Sequence, residues 1–335
     1  MQLSRGPVRG VLLCLTGAAV ALTSLACTPR ASGGVDPGDR VDAVAERITA
    51  PAAGGDKSSL LVPEGRLELV VTEPGETVPA RDTLGSQDLS AASGARIVGI
   101  AWKVVPGAAS TVQTALAGPG KAPGALAVLA GDQQFSLTEG EQWRRGAVFV
   151  AVPEDAELMV EVDYDTVTQR VDPRTGRQEV SAAAQPLYEE PGDLADQSSC
   201  RPGQGADPEW TATMVCWARG TTVSYVHDVG WAPEHEPWRV VQLEMRLDSA
   251  VHQGARYAAT ASSGTALLDG AEPALVIPRE IGRGPGSISE YLVFPGSPGP
   301  HELSVTRTWS LSRESGPASA PDQQDLELTG SVEID

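Results

Sequence analysis

The sequence predicts an all-β protein made of two tandem antiparallel β-sandwiches. Three observations carry that prediction. From Leu60 onward apolar residues recur with a period of 2, the repeat of a half-buried strand, not the 3.6 of a helix. The apolar runs are short and bounded by Gly and Pro, which supply the turns of a sandwich or barrel. The second half repeats the first at a near-constant offset.

The elements follow in chain order. Residues 66–71 alternate as Arg-Leu-Glu-Leu-Val-Val. Arg96–Val104 is rich in β-branched residues and lies between Gly94 and Pro106. Gly146–Val152 is a strand stopped by Pro153, and Leu158–Tyr164 is another. These place a first sandwich at 60–181. Residues 182–208 have the composition of a linker. A second sandwich over 209–335 opens on a strand at Trp210–Ala218 and closes on one that alternates at Leu326, Leu328, Val332 and Ile334. Ser312–Gln324 before it reads as a loop. The missing alternation of strands with helical segments argues against a parallel α/β sheet.

The repeat rests on four matches. Arg96-Ile97-Val98 matches Arg239-Val240-Val241 at an offset of 143, and Val150–Pro153 matches Leu292–Pro295 at 142. Glu157–Val160 matches Glu302–Val305, and Thr77-Val78 matches Thr222-Val223, both at 145. Constant offsets point to two copies of one unit.

The N-terminus is different in kind. Arg5 and Arg9 precede an apolar run from Val11 to Leu25 that closes on Ser24-Leu25-Ala26-Cys27. A basic start, a short apolar core and a small residue before a cut make an export signal over 1–26. The run is shorter than the roughly 20 residues that span a bilayer. Residues 27–59, rich in Ala, Gly, Pro and charge, read as a flexible tether. Cys27 directly after Ala26 resembles the lipobox of bacterial lipoproteins. That resemblance implies a lipid-bearing N-terminus on Cys27, palmitate among its acyl chains. It implies a cell-membrane location on the extracytoplasmic face. A plain secreted product and an uncleaved anchor stand as the alternatives.

Composition bounds the partners. The chain carries a net charge of −19, and loss of Arg5 and Arg9 takes it to −21. Such a surface repels phosphate backbones and anionic lipid, so no nucleic-acid partner is expected and attachment falls to the lipid. Lys is rare and Asn absent, as in proteins of high-GC genomes. No N-glycosylation acceptor exists, and turns draw on Gly, Pro, Asp and Ser. With Cys27 lipidated, Cys200 and Cys216 remain as one possible disulfide, which export permits; two free thiols are the alternative.

The motifs of catalysis were sought in turn. The chain has no Gly-x-Ser-x-Gly elbow and no His-Glu-x-x-His. Gly282–Gly286 contains Pro285 and reads as a hairpin loop. His227, His235, His252 and His301 read as scattered surface histidines. Glu189–Asp196 lacks calcium-loop spacing and reads as a solvated acidic loop. No catalytic residue, metal or cofactor is predicted. Trp210, Trp217, Trp231 and Trp238 are the strongest remaining lead, four of the seven tryptophans. Core packing, an exposed aromatic surface that stacks on sugars, and a contact between the copies are all open to them.

The whole resembles the cell-surface lipoproteins of high-GC Gram-positive bacteria with tandem immunoglobulin-like domains. The leading expectation is a non-catalytic binding or assembly module that holds a cell-wall polymer or envelope protein near the membrane. A wall-acting hydrolase would need a carboxylate pair set by separation in space. The lipid-anchored solute-binding receptor of an importer would need α/β lobes, against which the lack of helical periodicity weighs.

Overall fold

The computed structural model describes residues 34–48, 58–107, 111–118, 124–138, 143–189, 194–203, 209–233, 236–279, 284–296 and 299–334. The expected signal over 1–26, Cys27 and His235 lie outside them. The chain is all-β, with several antiparallel sheets. Among the described residues its one α-helix is α1, Thr111–Leu116.

Twelve strands carry the architecture. The first half has β1 (Gly65–Val71), β2 (Ala95–Val105), β3 (Gly124–Ala130), β4 (Arg145–Pro153), β5 (Leu158–Tyr164) and β6 (Val167–Val171). The second has β7 (Trp210–Val223), β8 (Trp238–His252), β9 (Ala255–Leu268), β10 (Ser287–Phe294), β11 (His301–Ser315) and β12 (Gln323–Ile334). β1, β2 and β4 pair in that order in one sheet, and β3, β5 and β6 in another. β7, β8 and β10 pair in the same order, as do β9, β11 and β12. Each strand of the first half therefore has a counterpart six numbers later. Leu275–Pro278 adds a fourth strand beside β10. The second half thus has the strand order of an immunoglobulin constant-type sandwich.

The shared pairing extends to register. Ile97 lies opposite Ala151 on β4, and Val240 lies opposite Val293 on β10. These two pairs are related by the offsets of 143 and 142 seen in the sequence. Thr77–Val78, by contrast, forms a small ladder with Leu89–Ser90, whereas Thr222-Val223 ends β7. That match reflects composition, not equivalent position.

Each core is built by alternation. Leu67, Leu69, Val98, Ile100 and Val150 from one sheet meet Val128, Val160 and Val162 from the other. In the second half Val241, Leu243 and Leu292 meet Leu303, Val305 and Trp309. β8 and β9 run on through a turn at Gln253-Gly254, both at positive φ (51° and 77°), as a type I′ hairpin requires.

The structure corrects three sequence expectations. Part of the expected tether is folded: Arg40–Asp42 pairs with β4, and Ala43 and Ile48 are buried against Ile97 and Phe149. An apolar outer sheet face and an open edge both favour such a cover. Ala184 and Leu187 of the expected linker are buried, and Tyr188 accepts a hydrogen bond from the Leu61 N–H (2.9 Å) while donating to Gln169 Oε1 (2.7 Å). The loop expected at 312–324 is shorter, because β11 runs to Ser315 and β12 starts at Gln323.

The halves are joined by reciprocal insertions. A small hairpin, Tyr225–Val226 with Gly230–Trp231, enters the first core. In return α1 lays Val112 and Leu116 on Val223, Val240 and Val293 of the second half. Gln113, 4% exposed, clamps the hairpin: its Nε2 donates to the Tyr225 carbonyl (2.8 Å) and its Oε1 accepts from the Ser224 N–H (3.0 Å). Residues from Gly34 onward group as one compact unit.

Candidate functional site

The four tryptophans do not form one surface. Trp210 stacks on His252 (centroids 4.7 Å apart) and packs at the end of the second core. Trp231 meets Tyr164 and Tyr225 edge to face and donates from its indole to the Tyr164 carbonyl (2.8 Å). Trp238 donates to the Gly230 carbonyl (3.0 Å) and lines the packing beneath α1. Trp217 alone of the four stands on an open sheet face. Alternation accounts for this. Cys216 points into the core and is bonded to Cys200, with Cα atoms 5.3 Å apart, so Val215, Trp217 and Arg219 point out.

Register brings their neighbours. Val215 lies opposite Arg246 on β8, Trp217 opposite Glu244, and Arg219 opposite Gln242. On β10, Ser289 lies opposite Glu244 and Tyr291 opposite Gln242. The side chains form one connected network. Arg219 Nε donates to Gln242 Oε1 (2.9 Å), and Gln242 Nε2 donates to Glu244 Oε1 (3.2 Å). Arg279 Nη1 donates to the same Glu244 oxygen (3.0 Å) and to Ser289 Oγ (3.2 Å). The Arg219 guanidinium lies 5.6 Å from the Trp217 ring centroid, and that of Arg279 lies 5.0 Å from that of Tyr291. Both are cation–π distances. A recess of about 130 Å³ opens beside Trp217, lined by Val215, Glu244, Arg246, Ser287 and Ser289. The face therefore offers one indole, charged side chains and a shallow pocket, while Gln242, 1% exposed, ties them together from within.

Polar clusters also occur elsewhere. At the joint, Arg144 holds Glu64 through two hydrogen bonds (2.5 and 3.0 Å), and Tyr164 donates to Glu64 (3.2 Å). Burial pushes the Tyr164 phenol far above its ordinary range, and the Glu64 charge adds to this. Tyr225 is raised by burial and by Asp165. A polar groove of about 420 Å³ at the end of the second sandwich contains Asp269, His301, Glu302 and Glu333. There Asp269 Oδ2 lies 2.6 Å from His301 Nδ1. His301 and the Glu302 N–H hold the Asp269 carboxyl below its usual range, so it stays ionised and is no proton donor at neutral pH. The His227 N–H donates to the Leu116 carbonyl (3.0 Å) within the joint. Of the acidic stretch 189–196, Leu194 packs near α1 and the Ala195 N–H donates to the Gly220 carbonyl (2.8 Å), so its end is docked. Among the described residues no group of three or more His, Cys, Asp or Glu could hold a metal. Nor is any helix among them long and apolar enough to cross a membrane.

Arg219, Gln242, Glu244, Arg279 and Tyr291 were not singled out by sequence. Alternation on β7 could have grouped Arg219 with Trp217, but the others become neighbours only through cross-strand register. No family model, curated protein or solved structure matches the chain.

Proposed function

We propose that this chain is a membrane-anchored lipoprotein of the extracytoplasmic face that acts by binding, with the open face of β7, β8 and β10 as its contact surface. The observation that carries the reading is the Trp217 network. Its polar side chains are already ordered by one another, so a ligand meets them at a reduced entropic cost. An indole flanked by a guanidinium and a carboxylate suits a polymer with both apolar ring faces and hydroxyls, such as a wall glycan. The reciprocal insertions add rigidity, which suits a module that holds a partner in place. The anchor rests on the sequence of residues 1–27 and the thiol of Cys27.

Two measurements test the reading. Purified full-length protein should sediment with isolated cell-wall sacculi. Trp217→Ala should lower the bound fraction at least about tenfold, as loss of a central aromatic contact does, with an unchanged melting profile. Undiminished binding by Trp217→Ala would remove this face from the account. For the anchor, cells fed a labelled fatty acid should tag the wild type and not Cys27→Ala, and the variant should leave the membrane fraction or remain unprocessed. An untagged wild type refutes lipidation.

A further inference from the structure

We infer that β9 offers its outer edge to a second copy of this chain, so that two molecules join their sheets of β9, β11 and β12 edge to edge about a two-fold axis.

The first observation is an open edge. β9 pairs with β11 along its length, but with β8 only over 255–257. Among the described residues, nothing hydrogen-bonds to the other edge of residues 258–267. Residues 260–265 are all exposed, although Ser262 lies opposite the core residue Trp309. A strand turns alternate side chains to its two faces, so six exposed residues in a row stand clear of the core on both. The free N–H and C=O groups of such an edge are a template for another strand. The bulge at Thr260 disturbs only the start of the run, and from Ala261 the ladder to β11 is regular.

Other sheet edges are guarded or short. On Ser58–Val62 side chains take the outward groups: the Leu61 N–H donates to Tyr188 (2.9 Å), and the Leu61 and Ser59 carbonyls accept from Gln169 (2.8 Å) and Gln178 (2.6 Å). Arg40–Asp42 is closed by the Leu84 N–H, which donates to the Asp42 carbonyl (2.9 Å). Leu275–Pro278 lies between Pro273 and its own terminal proline, and Arg201-Pro202 covers the far edge of β12. Gln133–Ser136 is four residues long. β9 has neither a proline nor a charge from Tyr257 to Leu268.

The second observation selects the occupant. The chain carries a net charge of −19, so two copies repel wherever their acidic surfaces meet. This edge is an exception. Its uncharged run is flanked by Arg256 on one side and Asp269 on the other, both exposed. Antiparallel pairing about a two-fold axis brings the Arg256 end of each copy toward the Asp269 end of the other, so both ends attract. Centred on Ser262 or Ser263, the pairing sets serine against its own counterpart, with small residues on either side. Such hydroxyl pairs are favourable cross-strand neighbours. The edge is thus complementary to itself in charge and in side-chain size.

The test uses the full chain in neutral detergent, with micelles in excess over protein. Sedimentation should show a dimer whose fraction rises with protein concentration. Ser263→Lys sets two like charges together at the axis and should raise the dissociation constant about tenfold or more. Ser263→Glu serves if the lysine impairs folding. Under mild oxidation Ser262→Cys or Ser263→Cys should give a covalent dimer that the wild type does not, because Cβ atoms directly opposite lie about 5 Å apart. A wild type that stays monomeric at every concentration overturns the inference. So does a dimer that Ser263→Lys leaves intact, or one that neither cysteine traps. A dimer lost in Trp217→Ala but kept in Ser263→Lys overturns it too, by moving the interface to the other sheet.

Discussion

Arg307 shows how much a single buried charge can matter. Its side chain, 8% exposed, donates to Glu290 (2.5 Å, 16% exposed) inside the second sandwich. Removing one partner strands the other charge away from water. Arg307→Met should therefore cost about 3–5 kcal/mol in chemical denaturation, whereas Arg307→Met with Glu290→Leu should recover most of it. A single variant as stable as the wild type would show the pair to be solvated. Tyr188 sets a pH dependence. Burial pushes its phenol up to about 12, against the Leu61 N–H that favours the phenolate. In the unfolded chain a tyrosine titrates near 10. Below about pH 10 both states hold the proton and the contribution is complete. Above it the unfolded state loses the proton first, so stability falls as pH rises toward 12. Tyr164 and Tyr225, also raised, act in the same direction. Denaturation midpoints should decline above about pH 10 in the wild type, and less steeply in Tyr188→Phe. An equal slope in the two would remove Tyr188 from the effect.

At the scale of the element, the Cys200–Cys216 bridge fastens the segment before β7 to β7 itself. It closes a sequence separation of 16. Replacing both cysteines by alanine should destabilise the protein by about 2–4 kcal/mol, and exchange protection should drop first around β7 and Ser198–Ser199. Uniform loss of protection would contradict this local role. The strands at 96–104, 146–152 and 158–164 were legible because alternation and Gly or Pro boundaries coincide there. Helix α1 was not. Six residues are too few to display a period, although Val112 and Leu116 have the i, i+4 spacing that the packing uses. The folded segment 34–48 was hidden for another reason: its composition resembles a tether, and what orders it is the apolar face of β2 and β4. Trp217 was legible as one of a cluster, but its place on an outer sheet face, apart from Trp231 in the first core, is set by strand pairing.

At the scale of the molecule, the joint predicts cooperativity. Tyr225 and Trp231 belong to the second half in sequence and to the first core in space. Calorimetry of the wild type should give one transition covering both sandwiches. Trp231→Ala removes an indole from the core and should cost roughly 3 kcal/mol, broadening or splitting that transition as the halves uncouple. Two resolved transitions in the wild type would contradict the coupling.

The same hairpin governs the order in which the molecule can mature. As the chain emerges from its N-terminus, residues 60–181 appear well before Trp231, and domains generally fold as units. Here the earlier-made sandwich lacks two aromatic side chains of its own core until the later half has begun to appear. The first half therefore cannot close early around a finished interior. Its completion waits for a short stretch, Tyr225–Trp231, that follows its last core strand, β6, by 54 to 60 residues.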